Sequence, residues 1–263
     1  MKAAIALLAL VLGLAAPATA EKPAAPLFAD DSPIEITISG PIRQLERAGA
    51  DATTPRPAKL TIGSETLPIM LSARGHARRQ AVNCQFPPLL VAFPQKPGKS
   101  SLFREQKQLK LTAHCRNQSS FDRYVLREYA AYRLYNALTP QGFRVRLAKV
   151  HYLDSGKEIA VRWGFLIEDA DGVARRLGGK QLNVPGLAYT ALDPADEARA
   201  AMFEYMIGNL DWDMGAGPKG TRCCHNFKLV GTTRDTRSAI VPVPYDFDYS
   251  GLVDTPYAVP PEG

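Results

Sequence analysis

Short segments of period-two alternation fill the first two thirds of this chain, and one long stretch breaks into helical spacing. Ile34-Glu-Ile-Thr-Ile38 alternates like a strand, and Lys59 to Ile62 with Leu67 to Leu71 reads as a hairpin around Gly63 and Ser64. Residues 74–91 read as extended, with Pro87 and Pro88 interrupting central pairing. From Gln108 to Cys115, Leu109, Leu111 and Ala113 share one face while Lys110, Thr112 and His114 share the other. Val145 to Leu153 and Glu158 to Ile167 form a second hairpin, turning at Asp154 to Gly156. The helical stretch opens at a capping-box-like Ser119 to Asp122. Its apolar stripe is Val125, Tyr129, Tyr132 and Tyr135 beside Leu126, Ala130 and Leu134. Together these predict a mostly antiparallel sheet with one long helix laid on it, an α+β chain.

A second region begins near Asp169. Asp193 and Pro194 make a helix N-cap and first position, reinforced by Asp196 and Glu197, and the helix stops at Gly208. Two short strands follow, 226–231 and 239–245. Pro242 and Pro244 mark the second as an edge strand. The tail through Gly263 carries no closing element, which reads as a chain cut short of a longer one.

The first twenty residues have the form of an export signal: Lys2, an apolar run from Ile5 to Ala16, and Ala18-Thr19-Ala20 as the cleavage site. Residues 21–33 read as a Pro/Ala/Asp linker, 34–168 as an N-terminal lobe and 169–263 as a C-terminal lobe. The apolar run is too short to span a bilayer and no second one follows. The expected location is therefore the periplasm or the medium, and Ala, Arg and Pro usage fits a bacterial source. The net charge of +6 is spread over scattered Lys and Arg without interleaved aromatics, which excludes a nucleic-acid reading.

An oxidising compartment makes the four cysteines candidates for disulfides. No CxxC occurs, which excludes a zinc site or a thioredoxin-like motif. Cys84 and Cys115 both lie in extended segments of one region and are expected to pair. The competing connectivities join each of them to the Cys223–Cys224 loop. A vicinal Cys223–Cys224 bridge is the strained alternative.

Acidic and amide side chains gather where elements end: Asn209, Asp211 and Asp213 after a helix, His225 and Asn226 opening a strand, Asp246 and Asp248 closing one. Magnesium takes hard oxygen ligands from one or two carboxylates, completed by phosphates and water. Phosphoryl transfer needs that set together with a Lys for the phosphates and a carboxylate at the attacking hydroxyl. A metal-dependent hydrolase or glycosyltransferase built on the DxD finds no nucleophile or sugar-nucleotide fold here.

These segments resemble the CotH-type spore coat kinases and their wider bacterial relatives. The resemblance is carried by YVLREYAAYRLYNAL, by FRVRLAKVHY with RWGFLIED, and by IGNLDWD, HNFKLV and VPYDFDYSG. It implies an atypical protein-kinase-like fold, an antiparallel sheet with a long helix plus a smaller helical lobe carrying the metal site. It also implies ATP as substrate, Mg²⁺ as cofactor and a protein hydroxyl as acceptor. Carried over by position, Asp211 is the base. Asn226 and Asp246 are metal ligands, with Asp248 a second or alternative one. Lys110, paired with Glu128, holds the phosphates, with Lys107 in competition, and Glu168 lines the nucleotide pocket. The chain departs from the pattern in a long 214–224 insertion and in lacking a Gly-rich loop before Lys110. The alternative function is a non-catalytic envelope module that binds a metal, a nucleotide or a protein partner.

Overall fold

The computed structural model describes residues 23–259, so the expected leader, 1–20, lies outside the described residues. The alternating segments become seven strands: β1 (Ile34–Ser39), β2 (Arg56–Ile62), β3 (Glu65–Ala73), β4 (Leu89–Ala92), β5 (Gln108–Thr112), β6 (Val145–Asp154) and β7 (Lys157–Ile167). Neighbours pair antiparallel from β1 to β5, then β5 with β7 and β7 with β6. Both expected hairpins are present. One turns through Gly63 at φ 53°, the other through Ser155 and Gly156 at φ 51° and 77°. In the second turn, two successive positive φ values give a type I′-like geometry whose twist matches that of the strands.

The fold nevertheless differs from the expected one. β1 also pairs in parallel with β6, from Ile34 opposite Ala148 to Ser39 opposite Leu153, and this closes the seven strands into a barrel. The expected open antiparallel sheet of a protein-kinase-like α+β fold is thereby overturned. The physical reason is that closure satisfies the backbone groups that an open sheet would leave on two edges. The barrel interior is packed by Ile36, Ile38, Leu60, Leu71, Val91 and Leu111, each nearly or wholly inaccessible to water. Leu27 and Phe28 are buried in the same cluster, so the segment read as a linker contributes core.

Four α-helices lie among the described residues: α1 (Ile42–Ala48), α2 (Asp122–Leu138), α3 (Ala170–Arg176) and α4 (Pro194–Met206). Helix α2 packs on the outer face of β7. Val125, Tyr132 and Tyr135 are buried as expected, but the buried stripe is completed by Glu128 and Ala131, while Leu134 stays exposed. The expected capping box does not form. Asp122 turns instead to Arg162, whose Nε donates to it at 2.8 Å.

Downstream, β8 (Lys180–Leu182), β9 (Phe227–Gly231) and β10 (Val241–Pro244) make a small antiparallel sheet in the order β10-β9-β8. β10 is an edge strand, in keeping with its two prolines. This region is a small sheet with short helices, not the helical lobe expected. Tyr132, Phe165, Phe203, Phe227 and Phe247 form its shared core with α2 and the barrel wall. That core joins the two regions and fixes the ends of α4, β9 and β10 relative to β5 and α2.

Candidate functional site

Each acidic or amide side chain of interest sits where the backbone leaves regular structure. α4 ends at Met206, and Gly208 at φ 65° turns the chain into Asn209 and Asp211. An isolated bridge between Asp213 and His225 returns it to the start of β9. Asn226 and Asp246 both adopt left-handed backbone, φ 53° and 67°. Asn and Asp are the side chains that tolerate this best, and such positions gather at functional sites. Asp246 is held there by its own N–H, which donates to the Tyr132 hydroxyl at 2.9 Å. Its neighbour Tyr245 donates its N–H to the Asn226 carbonyl at 2.9 Å.

A continuous set of hydrogen bonds joins the first two segments. The Asn226 side-chain amide donates to the Asp211 carbonyl at 2.6 Å and to its carboxylate at 3.0 Å. Both amide hydrogens are thus spent on Asp211, and the side-chain oxygen of Asn226 is turned away from it. His225 Nε2 lies 3.2 Å from the other Asp211 oxygen. That hydrogen bond raises the His225 pKa, with the carboxylates of Asp246 and Asp213 adding to it. Asn209 Oδ1 accepts the Asp211 N–H at 3.2 Å, and the Trp212 indole donates to the Asn209 carbonyl at 3.0 Å.

Cations surround Asp246. Lys110 on β5 and Lys228 on β9 place their ammonium groups 4.6 and 5.2 Å from the centre of the Tyr245 ring, one from each region. Burial, with Arg74 and Lys228 nearby, pushes Lys110 down to about 7. Burial lowers Lys228 as well. The Asp246 carboxyl is desolvated too, but Arg78, Arg74 and Lys110 hold it below the usual carboxylate range. The Asp246 carboxylate and the Tyr245 ring thus lie among desolvated cations contributed by both regions.

Arg78, in a 3₁₀ turn after β3, is the hub beneath this surface. Its guanidinium reaches Glu128 at 2.9 Å, Asp246 at 2.6 Å and Asp248 at 3.1 Å. Arg78, Glu128 and Asp248 are all buried. Burial raises the pKa of both Glu128 and Asp248, with Arg78 opposing it. Cys84 and Cys115 are bonded, with Cα atoms 4.6 Å apart, and pin the loop after Arg78 to the chain beyond β5.

The structure therefore brings together Asp211, Asn226, Asp246 and Lys110. Of three other sequence candidates, Glu128 and Asp248 lie beneath this set on the Arg78 guanidinium that also holds Asp246, and Glu168 lies elsewhere. Glu128 pairs with Arg78 and not with Lys110, because Arg78 enters from the β3 side and fills the space over α2. Asp248 is turned inward to Arg78 and the Tyr257 hydroxyl, which donates to it at 2.9 Å. Glu168 receives bonds from Arg176 at 3.0 Å and from the Arg144 N–H at 3.2 Å. With Lys107 it lines a separate cavity of about 550 Å³ beside α3. Cys223 and Cys224 are paired with each other, the connectivity expected only as the strained alternative. Arg78, Arg74, Lys228 and Glu204 were not singled out as site residues, since basic residues and a helix glutamate look like solvated surface in a sequence. The one available signal was Lys228 in HNFKLV, two residues past Asn226.

No family model matches the chain, and no curated protein matches it.

Proposed function

We propose that this chain is an exported phosphotransferase that moves a phosphoryl group from ATP to a hydroxyl, with Mg²⁺ as cofactor and a protein as acceptor. The observation that carries the reading is Asn226. Its amide is committed to Asp211, and its backbone carbonyl accepts from Tyr245, the residue before Asp246, so we assign its side-chain oxygen and Asp246 as the two ligands of one cation. The donor set fits Mg²⁺, which takes few protein oxygens and completes its shell with phosphates and water. Among the described residues no group of three or more His, Cys, Asp or Glu is arranged to hold a metal, so a site here would use two protein oxygens. Bound there, Mg²⁺ would neutralise charge on the phosphate oxygens.

The residues of the chain supply the remainder. Lys110 and Lys228 bind phosphate charge, and the desolvation that lowers their pKa also strengthens their attraction to an anion. Asp211, half-buried and oriented by Asn226 and His225, accepts the proton of the acceptor hydroxyl. A cavity of about 340 Å³ lined by Leu210, Asp211, Tyr249 and Val259 gives an acceptor access to that carboxylate. The resemblance to CotH-type kinases supports the same roles, and it is the site, not the barrel, that the reading rests on. Export is supported by the leader-like residues and by the paired cysteines.

The second reading, a non-catalytic module, is favoured by one observation: Arg78 already occupies one oxygen of Asp246. Calorimetry and a transfer assay on Asp211→Ala and Asp246→Ala separate the two. Asp211→Ala should lower turnover by about 10²–10⁴ with ATP affinity nearly intact, whereas Asp246→Ala should weaken Mg²⁺-dependent ATP binding. A parent protein that neither binds Mg²⁺-ATP nor transfers phosphate overturns the proposal.

A further inference from the structure

Glu204 is a buried carboxyl that packing alone does not explain. It lies in the last turn of α4, is fully inaccessible, and its Oε1 has no hydrogen-bond partner. A leucine would fill such a position without desolvating a polar group. The negative end of the helix dipole disfavours a charge there as well. Its other oxygen accepts from the Asn209 side-chain amide at 2.9 Å, and its backbone carbonyl accepts the Asn209 N–H at 2.9 Å. Asn209 in turn accepts the Asp211 N–H and anchors Trp212. The side chain of Asn209 is thus oriented from one side by Glu204 and presents its oxygen to Asp211 on the other.

We infer that Glu204 is a positioning residue that holds the Asp211 turn in place through Asn209. The inference rests on the reading of Asp211 as the proton acceptor. A neutral carboxyl satisfies the geometry at lowest cost, and burial pushes Glu204 up to about 8, with Asp211 adding to the rise and the Asn209 bond opposing it. The titratable groups facing it are Asp211 from the following loop and Tyr135 from α2, whose own pKa Glu204 helps to raise. Ionisation above that range puts a second, uncompensated buried charge behind Asp211, and the two carboxylates repel each other across the turn. The turn should therefore loosen on the alkaline side.

The test compares the parent chain with Glu204→Gln and Glu204→Leu, following the Asp211 backbone amide by NMR against pH and measuring kcat and KM for ATP. In the parent the amide signal should titrate with a midpoint near 8. Glutamine keeps an acceptor for Asn209, so its signal should be flat with pH and its kcat within about twofold of the parent. Leucine should displace the amide signal at every pH and lower kcat about tenfold, with KM for ATP within about twofold. A leucine variant with the parent's amide signal and kcat overturns the inference, as does a glutamine variant as impaired as leucine. Should the leucine variant not fold, the titration in the parent and its loss in Glu204→Gln decide alone. A parent without phosphate transfer sinks the phosphotransferase reading, while the amide titration still decides what Glu204 does.

Discussion

Replacing Arg78 by methionine should be among the most damaging single changes in this protein, and the damage should depend on pH. The guanidinium is the shared cation of Glu128, Asp246 and Asp248, at 2.9, 2.6 and 3.1 Å. Methionine has similar bulk, so the loss is electrostatic and not a cavity. Removing one partner of a buried pair costs about 3–5 kcal/mol, because the remaining charge is left without compensation. Three carboxylates lose their cation here, but two effects limit the sum. Asp246 keeps Arg74 and Lys110 nearby, and Glu128 and Asp248 are already biased toward protonation by burial. The net cost should be about 4 kcal/mol at pH 7, or a fall in Tm of roughly 8–16 °C for a chain of this size. The sign of the pH dependence follows from proton binding. In the variant the folded carboxylates hold protons that the unfolded chain has released above about pH 4, so stability falls as pH rises. The deficit against the parent should shrink at pH 5 and grow toward pH 7. Urea titrations and thermal melts at both pH values read it directly. A loss below about 1 kcal/mol at pH 7, or one identical at the two pH values, refutes the shared-cation account.

Two further outcomes follow from the same geometry. Replacing Cys84 and Cys115 by serine opens a loop with a sequence separation of 31 and should cost about 3–4 kcal/mol by loop-closure entropy; urea unfolding of the double variant measures it, and a cost under 1 kcal/mol would mean the pinned loop contributes little. Lys110, lowered to about 7, should lose its charge as pH rises through that value, so Mg²⁺-ATP affinity should fall between pH 6 and 8.5; Lys110→Met should bind weakly at every pH, and an unchanged slope in that variant would assign the titration to another group.

Local pattern carried much of the fold. The β2–β3 and β6–β7 hairpins, the long α2 and the proline-marked edge strand β10 were each readable because alternation, turn residues and helical spacing are short-range signals. Barrel closure was not readable. The parallel pairing of β1 with β6 joins segments from opposite ends of the first region, and no alternation rule specifies a partner at that distance. Composition misled in the segment 21–33, where Pro and Ala suggested a linker. Two apolar residues, Leu27 and Phe28, are enough to seat it on the barrel core, and Arg146 fixes it further by donating to the carbonyls of Leu27 and Asp30.

The candidate site divides in the same way. Asp211, Asn226 and Asp246 were picked out by the order of acidic and amide residues at element ends together with the CotH resemblance, and the fold brings their three segments side by side. Their supports were not, since each works only through a partner brought by the tertiary fold. Arg78 reads as one of two adjacent arginines until Glu128 and Asp248 bury it, and Glu204 reads as a helix glutamate until Asn209 turns back on it. The Lys110–Glu128 pairing failed for a related reason: a strand lysine and a helix glutamate at suitable spacing satisfy a pattern, but a third residue decides whether they meet. With Glu128 taken by Arg78, Lys110 is left desolvated beside Lys228 and the ring of Tyr245. Two lysines held this way repel each other and give up hydration, so an anion that neutralises both should stabilise the native chain. That unmet demand for negative charge, set against the oxygens of Asn226 and Asp246, ties the phosphotransferase reading to this chain's own electrostatics and not to the shape of its barrel.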